Sequence, residues 1–325
     1  MQSRFTRTVV LVAGLAVATT ACGRYSWSSL VSAKDFKDGI GAYQKADYRT
    51  AIEEFESSVA ANPNFQFSGF AYFYLGNSYD SLYRPARKGE PENDANLTKA
   101  VEYYRLAIEK LATSDMPQAP EFHKRSYEYL ISAYGSSKLD DFSQAEPIAK
   151  ELISIEPNEP TNYQALGRLY EDQGQYEQAE AMYHQAIEIR PNDAAGYQLL
   201  AGYYNRQGEF DKTMEAFRQR AEVEPNNPEA WHTIGTYIYD KVYRDKALAR
   251  EAALKYVLEG IEAEDRSIAL NADYFEAVTF KGLLLRQQAL LERAPARQQE
   301  LIAEADQLEA RALDIQAKQA GTPAN

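Results

Sequence analysis

The sequence predicts an all-α fold, a stack of about seven helical hairpins. Three observations carry this. First, Tyr163, Leu166, Gly167, Tyr170, Ala179 and Tyr183, followed by Pro191, recur 34 residues later as Tyr197, Leu200, Ala201, Tyr204, Thr213 and Phe217, followed by Pro225. Second, Gly174 and Gly208 sit between two helical stretches in each unit, and Pro191 and Pro225 close the units, as helix-stop residues do. Third, no stretch shows the period-two alternation that a half-buried strand requires.

The residue types follow from packing two antiparallel helices. Gly167 or Ala201 lets the first helix lie close to the second, where Ala179 and Ala186 present no bulk. Tyr163, Leu166, Tyr170 and Tyr183 fill the space between neighbouring pairs. The pattern aromatic-x-x-Leu-Gly-x-x-Tyr, then Ala-x-x-x-Tyr, then Pro, resembles the tetratricopeptide repeat. That resemblance implies a right-handed solenoid with a concave groove lined mainly by the first helix of each pair.

Extending the register covers residues 34–273. A first unit carries Gly39, Tyr48, Ala51 and Phe55 and runs to Pro63. A second has Leu75, Gly76, Tyr79, Ala100, Tyr104 and Ala107, with a polar Pro/Gly insertion near 83–96 expected to be a loop. The third has Leu130, Tyr134, Phe142, Ala145 and Pro157. After the two regular units comes a sixth, with Trp231, Ile234, Gly235 and Ile238 and an insertion near 240–252. A C-terminal hairpin cap is expected over 274–318, beginning Val278, Lys281, Gly282 and Leu285 and ending in a charged helix. Lys281 stands where an apolar residue is expected. Residues 319–325 read as a frayed tail.

The N-terminus reads as an export signal over 1–21. Arg4 and Arg7 precede an apolar run from Val9 to Ala18, ten residues and far short of the roughly 20 that span a bilayer. Cys22, the chain's single cysteine, stands where a signal peptidase would cut. This resembles the lipobox of bacterial lipoproteins, with Ala21 fitting the motif and Thr19 departing from its usual Leu. The resemblance implies acylation of Cys22, a periplasm-facing protein anchored in the cell envelope, and, since Gly23 rather than Asp follows, the outer membrane. Residues 22–33 are expected to be the lipidated Cys and a tether.

The tetratricopeptide resemblance places the second, fifth, ninth and twelfth positions of each unit on the groove. In the regular units these are Thr161, Gln164, Arg168 and Glu171, then Ala195, Gln198, Gly202 and Asn205, with Arg206 beside them. The sixth unit adds Glu229, His232, Thr236 and Tyr239. Such a mixture of amides, charges and hydroxyls suits an extended peptide or a polar helix, or serves as a plain solvated face. The Lys and Asn of the family's two-carboxylate clamp are not reproduced, because Phe36, Ile40, Phe73 and Asn77 stand there. Phe36, Ile40, Tyr43, Phe70 and Phe73 offer a hydrophobic seat, or bury against the insertion or the tether.

Composition excludes several classes. With 48 acidic against 35 basic residues, the net charge of -13 disfavours nucleic acid. A mean hydropathy of -0.54 excludes a multi-span membrane protein. One cysteine rules out an intrachain disulfide framework or a multi-thiolate zinc site. His123, His184 and His232 fall in different units without metal-ligand spacing. No catalytic, cofactor or metal residues and no small-molecule substrate are expected. The expected function is a lipid-anchored scaffold holding a protein or peptide partner, in envelope, secretion or pilus assembly. The alternative is a polysaccharide-export or glycan-binding lipoprotein.

Overall fold

The computed structural model describes residues 27–321. Among the described residues there are fourteen α-helices, one short 3-10 turn and no strand. The helices follow one another as seven pairs, the all-α arrangement the repeat predicts. The chain divides into two compact units, residues 1–129 and 130–325, the division falling inside the fifth helix.

The first unit holds α1 (Trp27–Gln44), α2 (Tyr48–Ala61), α3 (Ser68–Leu82), α4 (Pro91–Leu111) and the start of α5 (Ala119–Tyr134). From α1 to α4, each helix packs on its sequence neighbour, and α1 also touches α3. α1 corrects the expected tether, because residues 27–33 are helical and built into the fold. The Ser32 hydroxyl donates to the Ser58 carbonyl at 2.8 Å and the Ser58 hydroxyl returns a bond to the Ser32 carbonyl at 2.7 Å. Both side chains are fully buried, and two small polar residues that satisfy each other let α1 and α2 approach closely. Gly39 and Gly76 make the same close approach beneath Phe55 and Tyr104. A Cβ on either glycine would lie 2.7 or 2.6 Å from the facing ring.

The insertion near 83–96 is shorter as a loop than expected. Pro91 starts α4, where its missing N–H costs nothing, and α4 runs 21 residues against 14 for α2. The remaining loop, 83–90, contains the 3-10 turn Pro85–Arg87 and is fastened by Asn93. The Asn93 side chain accepts from Arg84 N–H at 2.7 Å and donates to the Arg84 and Arg87 carbonyls, each at 3.1 Å.

The second unit continues from the rest of α5 through α6 (Phe142–Ile155), α7 (Pro160–Asp172), α8 (Tyr176–Ile189), α9 (Ala194–Arg206) and α10 (Phe210–Val223). It ends with α11 (Pro228–Arg244), α12 (Arg250–Leu270), α13 (Phe275–Leu291) and α14 (Pro295–Ala320). From α6 to α14 each helix again packs on its neighbours in sequence. The turns of the α5–α6, α7–α8 and α9–α10 pairs use one device: the residue before the second helix's N-cap is left-handed. Gly174 (φ 70°) and Gly208 (φ 76°) do so without strain, and Asp140 (φ 57°) takes the same conformation. Turns between pairs repeat a second device. Tyr163 OH, Tyr197 OH and Trp231 Nε1 each donate to the carbonyl of a proline six residues upstream, at 3.0, 3.0 and 3.1 Å.

The 240–252 insertion likewise becomes mostly helix. α11 runs to Arg244 and α12 starts at Arg250, which leaves residues 245–249 as loop. α14 continues to Ala320, beyond the expected end at 318. The anomalous Lys281 is explained by its ion pairs, 2.8 Å to Asp265 and 3.5 Å to Glu304. Leu285 and Ala289 of α13 close on Leu301 and Ala305 of α14 to form the last core layer. The expected signal segment, Cys22 and residues 322–325 lie outside the described residues.

Candidate partner-binding face

The repeat places the predicted groove residues on three first helices. α7 carries Gln164, Arg168 and Glu171, α9 carries Gln198, Asn205 and Arg206, and α11 carries His232, Thr236 and Tyr239. Acceptors at the N-cap position start each helix at the same register. Glu159, Asp193 and Asn227 accept from the backbone N–H two residues on, at 3.4, 3.0 and 3.0 Å. The structure divides the nine residues into three groups.

Four side chains are unengaged. Arg168, Gln198 and Asn205 are exposed, Gln164 is half-buried, and none makes a hydrogen bond or ion pair among the described residues. Arg168 acts on its surroundings only through space, favouring the ionised form of nearby Glu171.

Glu171 and Arg206 instead brace α7 to α9. Arg206 Nε donates to Oε1 at 2.7 Å and Nη2 to Oε2 at 2.9 Å, while Tyr183 OH donates to Oε2 at 3.0 Å. Burial raises the Glu171 pKa, but the Arg206 and Tyr183 hydrogen bonds outweigh it and hold the carboxyl below its ordinary range. The pair is bidentate and satisfied.

His232, Thr236 and Tyr239 converge on a cluster that the sequence did not reveal. His232 Nδ1 lies 3.0 and 3.1 Å from the two oxygens of Glu264, a fully buried side chain on α12. Burial lifts the Glu264 carboxyl to about 7, against the opposing pull of His232. The imidazole meets the rings of Tyr274 and Phe280 edge-on at 5.2 and 5.3 Å. Tyr239 packs edge-on against Phe280 at 5.6 Å and stacks on Tyr243. Thr236 donates to the His232 carbonyl at 3.0 Å and lies 3.3 Å from Nε2. The His232–Glu264 contact and the surrounding rings make the cluster a joint between α11, α12 and α13. A register signal for Glu264 existed: Gly260, Glu264 and Ser267 have the spacing of Ala179, Tyr183 and Ala186.

Other sequence candidates have structural roles. Phe70 and Phe73 are buried against Phe122, at ring distances of 5.0 and 4.9 Å. Phe36 stacks on Phe67 at 5.3 Å. Among the described residues the cover is thus the α2–α3 loop and the start of α5. Tyr43 OH donates to Asn77 Oδ1. Tyrosines link successive hairpins: Tyr79, Tyr170 and Tyr204 donate to Glu56, Glu146 and Glu180 at 2.7, 2.9 and 2.6 Å. Trp231 has its ring under the Arg266 guanidinium, 4.5 Å from the centroid. Among the described residues no group of three or more His, Cys, Asp or Glu side chains could hold a metal ion. No helix there is long and apolar enough to cross a membrane.

Residues 138–203 and 194–236 match two family profiles, each described as a tetratricopeptide repeat. No curated protein matches the sequence. Among solved structures, the C-terminal part of a TPR repeat-containing protein from Cytophaga hutchinsonii is similar in fold. It aligns over 86% of this chain and 98% of its own, at 17% identity and a TM-score of 0.52. A tetratricopeptide repeat protein from Parabacteroides merdae aligns over 85% and 99%, at 13% identity and a TM-score of 0.46. MamA from Desulfovibrio magneticus, residue 41 to its end, aligns over 60% and 96%, at 13% identity and a TM-score of 0.45.

Proposed function

We propose that this tetratricopeptide-repeat protein is a lipid-anchored, periplasm-facing scaffold that holds an extended segment of a protein partner along α7 and α9 in envelope, secretion or pilus assembly. The observation that carries the reading is the set of unengaged side chains at repeat spacing. Gln164 and Gln198 are 34 residues apart, and Arg168 and Asn205 stand beside them, donors and acceptors held on rigid helices without internal partners. Amides of this kind match both the N–H and the C=O of a peptide backbone. The anchor rests on the single cysteine, Cys22, directly after the export signal.

The test is capture of partners from solubilised envelope by the full-length protein, repeated with Arg168→Ala and Gln198→Ala. Both side chains are exposed and unbonded, so the fold should tolerate their loss. Each substitution is expected to weaken a stoichiometric partner about tenfold, or about 1.4 kcal/mol. A partner retained equally by both variants would place binding elsewhere.

A further inference from the structure

Trp27 and Leu30 lie one turn apart near the start of α1 and are 81% and 53% exposed. Ala33, Lys34 and Lys37 are exposed along the same helix, Lys34 reaching Asp38 at 3.0 Å. The two apolar side chains cannot turn inward, because the Ser32–Ser58 pair fixes α1 against α2. An Asn62-to-Ser29 hydrogen bond at 3.4 Å adds to it. Only residues 23–26 separate Trp27 from Cys22. Five peptide steps, even fully extended, span at most about 18 Å.

We propose that Trp27 and Leu30 form a membrane seat, entering the headgroup region of the same bilayer that holds the acyl chains on Cys22. The inference rests on the lipid anchor proposed above. So short a connection keeps the start of α1 beside the lipid surface, which commits the exposed face to lipid ahead of a protein partner. Tryptophan suits that depth, its ring being apolar with one N–H for the wet side. Lys37 can extend its ammonium group toward headgroup phosphates from an alkyl stem laid along the helix, while Lys34 stays paired with Asp38. The first unit then stands against the membrane in a fixed pose rather than hanging from a long leash.

The experiment uses the membrane-extracted protein carrying Trp231→Tyr, which leaves Trp27 as the sole tryptophan. Tyr163 and Tyr197 already occupy the equivalent position and make the same bond to a proline carbonyl. Should that variant fail to fold, the difference spectrum between the native protein and Trp27→Phe isolates the same signal. The protein is reconstituted in vesicles of phosphatidylethanolamine and phosphatidylglycerol, and intact mass reads the state of Cys22. The expected result is an acylated protein whose Trp27 emission shifts to the blue, loses quenching by aqueous iodide and gains quenching by lipids brominated high in the acyl chain. An acylated protein with Trp27 still open to iodide overturns the seat and leaves the anchor standing. An unacylated Cys22 overturns both. Protection of Trp27 in lipid-free detergent, with a doubled particle mass, identifies a second copy as the cover and also overturns the seat.

Discussion

The pairs α7–α8 and α11–α12 are built on one template yet fill its central niche with opposite chemistry. In the first, Tyr183 closes over Gly167 and carries its hydroxyl out to Glu171 at the rim of the packing. In the second, Glu264 occupies the equivalent place over Gly235, with no exposed surface, and both its oxygens lie inside. A phenol can bury a ring and still deliver its polar atom to an edge. A carboxyl has no such reach and needs a partner brought to it, here His232 from α11. The difference teaches that the repeat fixes the size of the niche but not its polarity, and that polarity inserted there makes one joint sensitive to protons.

The sharpest way to test that contrast is pH. The Glu264 carboxyl is raised from an ordinary 4.5 to about 7 by burial, with His232 opposing and Asp265 adding to the rise. The native state therefore keeps a proton where the unfolded chain has released it. The resulting stability is complete below pH 4.5 and is lost as pH climbs through about 7. Each tenfold gain in proton affinity on folding is worth about 1.4 kcal/mol, so the whole amounts to about 3 kcal/mol. Denaturant unfolding of native protein and Glu264→Gln should show the native advantage falling by that amount across the window. Tyr183→Phe should show a constant difference from native over the same range, because burial raises the Tyr183 hydroxyl's pKa further still. A constant difference for Glu264→Gln would break the comparison.

A second, smaller effect probes the same niche from the glycine side. A Cβ on Gly235 would fall 2.2 Å from Glu264 Oε1, whereas one on Gly167 would fall 3.3 Å from Met182 Cβ and the Tyr183 ring. Ala201 already stands at the corresponding place in α9 and is buried. Replacing a mid-helix glycine by alanine gains up to about 1 kcal/mol of helix propensity. Gly167→Ala should therefore come out near neutral. Gly235→Ala should cost about 1–3 kcal/mol through overpacking, and combining it with Glu264→Ala should recover part of the loss, since the two sites are in contact. Equal melting temperatures for the two glycine variants would contradict the geometry.

What the sequence made legible is what repetition makes redundant. The 34-residue shift located the helices of α7 to α10, the turn glycines Gly174 and Gly208, and the buried tyrosines, because each signal occurs at least twice. Singular features were harder to read. Ser29 and Ser32 look like linker composition, yet small side chains are what α1 and α2 need to meet. Pro91 reads as a loop residue but is the first residue of α4, and so an inserted loop was really a longer helix. Glu264 has the right spacing within α12, but the insertion before it broke the register, and a carboxylate is not a residue one seeks at an aromatic position. The groove residues were read one at a time, so the bond from Arg206 to Glu171, which depends on how two helices lie in space, was invisible.

That bond supplies the smallest test, and it separates two neighbouring joints. Arg206 ties α9 to α7, with its own side chain 52% exposed and that of Glu171 12% exposed. One repeat further on the corresponding residues are Asn205, which is unbonded, and Asp240, which pairs within its own helix with Arg244 at 2.7 Å. The α9–α11 joint thus has no equivalent brace. Because water reaches the guanidinium, Arg206→Ala should lower stability by only about 0.5–1 kcal/mol, and the loss should shrink as added salt screens the pair. Tyr183 still donates to Glu171 in that variant, so the carboxylate keeps a partner and the core beneath it keeps its packing. A loss that is several times larger and indifferent to salt would show that the arginine's alkyl stem, and not its charge, holds α7 and α9 together.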